Sequence, residues 1–337
     1  IPSGINASTG DLLGAGVKCH RTITFQKEKI GHHLYPGKLY SGSLQCQKIS
    51  IQEKFATDDD FYYLIDCEFV KASLPERKPD SYKNNFGHLA TWCGSSGTLG
   101  AAFLASFAGL KTGAGLTTAA LPQQDQSAFL AAAPELMSFP QELITREWLA
   151  QFSALVIGCG LGREAEKWDH ISKLVKSLEI PVIFDADAFH GIKDWSVFDH
   201  GKIILTPHPG EFAQMSGFPK PNNNKEKIQQ GVDFVSQYPV TLILKGAPSI
   251  VFDHEGKVYL NSTGNSGMAT AGSGDVLAGM VGGLAAQGLA PIDAALLGTW
   301  LHGKCGDLYR VESGEESLTA TTLIDYYSEA VAILKNS

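Results

Sequence analysis

The sequence predicts an α/β fold built around a mainly parallel sheet, and three observations carry that prediction. "ALVIGCG", "PVIFDAD", "KIILTPHPG" and "VTLILKGA" hold short, nearly uniform apolar runs, the pattern of strands buried on both faces. Helix-like segments such as "AEKWDHISKLVKSL" lie between them. Each run passes straight into glycine, proline, acidic or histidine residues, and open α/β sheets bind ligands at the carboxyl ends of their strands.

Taken in order, residues 1–52 read as β-rich and turn-punctuated. "CHRTITF" and "SLQCQKISI" have strand composition, with loop chemistry in "YPGKLYSG" between them. The chain begins "IPSGINASTGDLL", without an initiator Met, which leads us to expect a piece of a longer protein. Residues 53–67, "EKFATDDDFYYLIDC", carry three consecutive aspartates and are the expected linker, and from 68 onward strands and helices alternate. "LGAAFLASFAGL", the longest apolar stretch, is far shorter than a membrane span and reads as a buried helix with a small-residue face. "PSIVFD" and "KVYLN" around "HEG" read as a hairpin. In "TAGSGDVLAGMVGGLAAQGL", Leu277, Val281 and Leu284 recur at helical spacing, so a helix starts near the glycines.

The 337 residues, 44% hydrophobic, suffice for one large or two modest domains. A net charge of −8 argues against a nucleic-acid or anionic-membrane partner, which would need a basic face, but not against a small phosphorylated ligand held by local amides. The six cysteines show no CxxC pair or metal spacing, which suits reduced thiols in a cytoplasmic protein.

Of the motifs, "GMATAGSGDVLAGM" is the most informative. Bare amides of Gly272, Ser273 and Gly274 at a helix start can hold an anion. Asp275 beside them could take a proton from a hydroxyl attacking a phosphoryl group, or could simply cap the helix. "LTPHPGEF" brackets His208 with two prolines that restrict the loop, though a tight strand exit explains it equally well. "LKGAPS" puts Lys245 at a strand end, where an ammonium can meet a phosphate or merely snorkel. "FDADAF" offers two carboxylates two apart, consistent with Mg²⁺ or water-mediated contacts, and His302 in "TWLHGKCGDL" reads as a packed or supporting histidine.

In order, "YKNNFGHLATWCGSSGTLGAAFLASFAGLKTGAGL", "VIGCGLG", "PVIFDADAF", "LTPHPGEF", "LKGAPSIV", "GNSGMATAGSGDVLAGM" and "LHGKCGD" resemble the ADP/ATP-dependent NAD(P)H-hydrate dehydratases of the ribokinase-like superfamily. The resemblance runs from about residue 68 to 335 and implies a ribokinase-like three-layer α/β/α domain over 68–337. Residues 1–52 resemble the end of an NAD(P)H-hydrate epimerase domain, which implies a partial Rossmann-like unit, with Ser3 matching a potassium-binding serine. The activity implied is phosphorylation of the C6 hydroxyl of hydrated NADH or NADPH, then loss of phosphate. ADP or ATP would serve as donor with Mg²⁺, the bifunctional layout favouring ADP. Motif matching implies Asp275 as base and Gly272, Ser273 and Gly274 as anion hole. Lys245, Gly246, Ala247, Pro248, Ser249 and Gly274 would contact the nucleotide; Ala102, Gly160 and His208 would line the hydrated-cofactor side. A homo-oligomer is implied as well.

Three positions depart from the family pattern: Cys159 replaces the usual proline, Ser273 a common threonine, and "SSGTLGAA" lacks an aromatic. A rival expectation is a vitamin-precursor kinase of the same superfamily, which the His208 loop argues against. Another is a nucleotide-binding sensor without turnover, which the intact base and anion hole disfavour.

Overall fold

The computed structural model describes residues 1–51, 62–198 and 201–337. Its strands are β1 (Arg21–Phe25), β2 (Ser43–Gln47), β3 (Tyr63–Ile65), β4 (His88–Trp92), β5 (Leu116–Leu121), β6 (Met137–Pro140), β7 (Ala154–Ile157), β8 (Val182–Phe184), β9 (Ile203–Leu205), β10 (Thr241–Leu244), β11 (Ile250–Phe252) and β12 (Val258–Asn261). β3 to β12 form one ten-stranded sheet in the order β3-β12-β11-β10-β9-β8-β7-β4-β5-β6. Only β11 runs against the rest, pairing antiparallel with β10 and β12 as the expected hairpin.

The apolar runs are buried on both faces because successive side chains point to opposite sides. Ala154 and Val156 of β7 enter one hydrophobic cluster and Leu155 and Ile157 the other; β8 divides Ile183 from Val182 and Phe184 in the same way. Helices cover each face. Residues of α1 (Leu99–Thr112), α5 (Ser273–Ala286) and α6 (Pro291–Ser313) fill the first cluster; residues of α2 (Ala165–Val175), α3 (Pro209–Ser216) and α4 (Asn224–Gln237) fill the second. This is the expected three-layer α/β/α arrangement. No helix among the described residues is long and apolar enough to cross a membrane.

Of the expected linker, residues 53–61 lie outside the described residues. Tyr63–Ile65 is not connector but an edge strand, paired in parallel with β12. Its apolar "YLI" gains a hydrogen-bonded partner and a stacked ring pair, Tyr63 on Tyr259 at 5.1 Å, which explains why it joins the sheet. In the N-terminal segment β1 and β2 pair in parallel as a separate sheet. That segment docks on the second face, where Leu34 is buried and Asn224 Nδ2 donates to the carbonyls of Thr9 (2.7 Å) and Tyr35 (2.8 Å).

The path of the chain reverses beside β4, with β5 and β6 on one side and β7 to β10 on the other. Such a reversal is where open α/β sheets form a ligand crevice. α5 closes one wall. It lies so near α1 and the sheet that a Cβ on Gly279 would stand 2.2 Å from the Ala105 carbonyl oxygen, one on Gly283 2.5 Å from that of Gly109, and one on Gly282 2.3 Å from Val156 Cγ2. Gly279→Ala should therefore cost about 2–3 kcal/mol, because the obstacle is backbone. Gly100→Ala, where a Cβ meets nothing within 4 Å, should be neutral or stabilising. Urea denaturation of the two variants checks the contrast.

Candidate active site

Four strand-end loops and the start of α5 converge on the crevice. A cleft of about 500 Å³ is lined by Gly97, Thr98, Ala101, Gly160, Asp187, Gly272 and Asp275, among others. Its floor is fixed by two hydroxyls from the loop after β4. Thr98 Oγ1 (2.6 Å) and Ser95 Oγ (3.0 Å) both donate to the Gly160 carbonyl, locking that loop to the one after β7.

α5 starts without a side-chain cap. Its N-cap is Gly272, in the left-handed region at φ 84°, so no side chain occupies the amides of the first turn, although Ser273 N donates to the Thr270 carbonyl at 3.4 Å. Asp275 sits in that turn and lines the cleft, which answers the capping alternative: the carboxylate is not spent on the helix. Burial, then the neighbouring Asp185 charge, pushes its pKa up to about 7.

Asp185, at the end of β8, is the hub. Lys245 Nζ donates to Oδ1 at 2.8 Å and Thr206 Oγ1 donates to the same atom at 2.8 Å. The Cys159 thiol donates to Oδ2 at 3.6 Å. Lys245 also lies 3.8 Å from Glu211. Burial works to lower the lysine pKa, but Asp185 and Glu211 outweigh it and hold it above its ordinary value. The Cys159 thiol is held protonated by its hydrogen bond with Cys93 and by full burial. Between the two carboxylates of "FDADAF", Ala186 adopts φ 52°, a conformation costly for a residue with a Cβ. It separates Asp185, aimed inward, from Asp187, which accepts from Gly162 N (3.0 Å) and Arg163 Nε (2.9 Å).

Cys159, Asp185 and Asp275 offer ligand atoms within 4.8 Å of one another. For a hard cation a carboxylate oxygen is suitable and the thiol is not, so Mg²⁺ would fit beside Asp185, with water and phosphate oxygens completing its shell.

The expected residues are not all brought together. Asp275, Gly272 and Gly160 line the cleft, with Ser273 and Gly274 in the same turn as Asp275. A Cβ on Gly274 would stand 3.2 Å from Lys245 Nζ, so the first turn of α5 meets that ammonium. Gly246, Ala247, Pro248 and Ser249 form the turn between β10 and β11, where Ser249 Oγ donates to the Gly246 carbonyl (3.3 Å). His208 serves as N-cap of α3. Its Nδ1 accepts from the amides of Gly210 (3.0 Å) and Glu211 (3.1 Å), which puts the proton on Nε2. Ala102 faces inward, fully buried against the Gly94 turn, while its neighbour Ala101 lines the cleft. Ser3 lies apart in the N-terminal segment, exposed, its carbonyl accepting from Val17 N. His302 is a supporting group: buried, with Nε2 3.3 Å from Ser273 Oγ and its pKa lowered by burial to about 4. Sequence reasoning missed Thr206 and Glu211 and gave Asp185 no central role, although all three sit inside motifs already singled out.

Residues 90–329 match the family model described as NAD(P)H-hydrate dehydratase. The chain is 36% identical to the bifunctional NAD(P)H-hydrate repair enzyme of Moorella thermoacetica, over 97% of this chain and 64% of that protein. It is likewise 36% identical to the ADP-dependent (S)-NAD(P)H-hydrate dehydratase of Neisseria meningitidis, over 71% of this chain and 82% of that one. Among solved structures, the ADP/ATP-dependent NAD(P)H-hydrate dehydratase of Bacillus subtilis co-crystallized with ATP/Mg²⁺ superposes with a TM-score of 0.73 at 28% identity, covering 83% of this chain and all of that one. The ribokinase-like expectation for the fold is thereby met.

Two outcomes follow from the electrostatics. Lys245→Met leaves Asp185 and Glu211 buried without their cation and should cost about 3 kcal/mol. Asp275 has a folded pKa above its unfolded one, so its contribution favours the fold below the unfolded value and is lost as pH rises through about 7. Asp275→Asn should therefore match or exceed the parent in stability above neutral pH, a gap that closes in acid. Thermal melts across pH check both.

Proposed function

The chain belongs to the NAD(P)H-hydrate dehydratase family, and we propose that it is an ADP-dependent (S)-NAD(P)H-hydrate dehydratase acting on hydrated NADH and NADPH. The observation that carries this reading is Asp275: a carboxylate that caps no helix amide, meets the Cys159 thiol, and has its pKa raised to about 7 in the first turn of α5. A base of that kind beside bare amides suits deprotonation of a hydroxyl as it attacks a phosphoryl group.

The hydrated nicotinamide would lie in the cleft between Gly160 and Asp275, with its C6 hydroxyl toward the Asp275 carboxylate. Asp275 takes the hydroxyl proton while the oxygen attacks the terminal phosphorus of ADP, and AMP departs with the electrons of the broken P–O bond. The amides around Gly272, Ser273 and Gly274 receive the charge on the phosphoryl oxygens. Phosphate then leaves the new ester with the C–O bonding electrons, the adjacent ring carbon loses a proton, and the double bond of NAD(P)H returns. Lys245, held by Asp185 and facing Gly274, is placed to accompany the phosphate, and the turn from Gly246 to Ser249 to carry the nucleotide. Mg²⁺ bound with the nucleotide would neutralise phosphate charge.

The chain spans about 64% of the length of the Moorella relative. For the full-length protein we extend the proposal to an epimerase unit that includes residues 1–52, with K⁺ at Ser3. A dehydratase domain that already includes Tyr63–Ile65, a cytoplasmic setting and a homo-oligomeric assembly belong to the same reading.

Mixing the protein with hydrated NADH, Mg²⁺ and ADP should restore dihydronicotinamide absorbance. Asp275→Asn should lower that rate by about 10²–10⁴-fold while the protein stays folded. The parent rate should rise with pH and level off above about 7, as Asp275 loses its proton. No recovery with either ADP or ATP would overturn the function. Recovery that survives the substitution would overturn the role of the base.

A further inference from the structure

Lys227 is a charged group for which the protein supplies no counterpart. It stands in the first turn of α4, half-buried, and burial lowers its pKa. Among the described residues no acceptor or carboxylate meets it. Its helix neighbour Glu226 is otherwise engaged, Oε2 accepting from Asn222 N and Nδ2 (2.7 and 2.9 Å). Partial burial of an ammonium without an anion is unfavourable, so such a group is best explained by a ligand that completes it.

Its direction names the ligand. Lys227 Nζ lies 3.3 Å from where a Cβ on Gly246 would stand, so the ammonium hangs over the bare backbone of that residue. Lys245, one residue earlier, points the other way, into Asp185 and the first turn of α5. Two cations therefore flank the turn from Gly246 to Ser249, one already neutralised by acids and one not. Lys227 is also held in place, because Asn224, one helical turn earlier, is tied to the carbonyls of Thr9 and Tyr35.

We propose that Lys227 binds the phosphate chain of the adenine nucleotide where it passes over Gly246, as a nucleotide-affinity residue outside the reacting centre. This rests on the functional reading above. Only the phosphates, and not adenosine, carry the charge it lacks, so it should contribute to ADP affinity and nothing to adenosine affinity.

The test is calorimetric titration of the parent, Lys227→Met and Lys227→Arg with ADP and with adenosine, alongside turnover of hydrated NADH. In Lys227→Met the Kd for ADP should rise roughly tenfold or more. Its Kd for adenosine and its kcat at saturating ADP should stay within twofold, and its ligand-free melting temperature should not fall. Lys227→Arg should keep most of the ADP affinity. Unchanged ADP affinity in a Lys227→Met protein whose parent binds ADP and turns over would overturn this proposal and leave the function intact. Equal losses for ADP and adenosine would also overturn it, since they report a damaged turn. A parent that binds no ADP would overturn the functional reading, and this proposal with it.

Discussion

Everything in the site hangs on how closely α5 can approach the sheet and α1. Gly279, Gly282 and Gly283 allow backbone-to-backbone contact along its length, and residues 276 to 286 of the helix are all buried. A helix so seated cannot slide or tilt without opening voids or colliding with carbonyls, so the first turn is held where the strand-end loops meet. Glycines serve two purposes within one motif. Those in the body of the helix permit close packing, and Gly272, at the start, exposes amides.

On that rigid base the protein separates two carboxylates by environment. Asp185 is almost wholly enclosed yet compensated by an ammonium, a hydroxyl and a thiol. Asp275 has less burial but no cation of its own, and the nearby Asp185 charge adds to the penalty for its ionisation. Two acids close together thereby sit in different electrostatic environments, one neutralised and the other not. Cys159, which stands in place of the family's usual proline, enters this arrangement as a neutral donor to Asp185 and adds no charge.

Much of this was legible in the chain. The four apolar runs are strands, the hairpin around "HEG" exists, and α5 begins at the glycines. Less legible were β4 to β6, where alanine and threonine in "LTTAAL" and the short "HLATW" dilute the apolar signal. "YLI" was absorbed into an acidic connector because three residues are too few to show a period. In the site, residue types were readable but partnerships were not: the pair of Lys245 with Asp185 spans 60 residues, and no local window contains it. His208 was singled out for its prolines, yet those prolines go with a helix start, and the histidine spends one nitrogen on capping it. Ala102 and Ala101 differ by one position on a helix, which is a rotation no small-residue pattern can decide. Lys227 carried no motif at all; only the fold brings it over Gly246.

The edge strand β3 has one further consequence, which concerns the order of assembly. Among the described residues it comes first of the strands of the large sheet, yet its only partner there is β12, the last. The chain end repeats the pattern, since Lys71 Nζ donates to the carbonyl of Ser337. Asp275 itself arrives after every strand has been made. Contacts of such long range must wait for loop closure over most of the domain, which slows folding relative to a locally wired fold. A nascent chain stopped before α5 could hold most of the sheet and still lack this helix turn and one wall of the cleft. The cleft is therefore completed only once α5 has followed the strands.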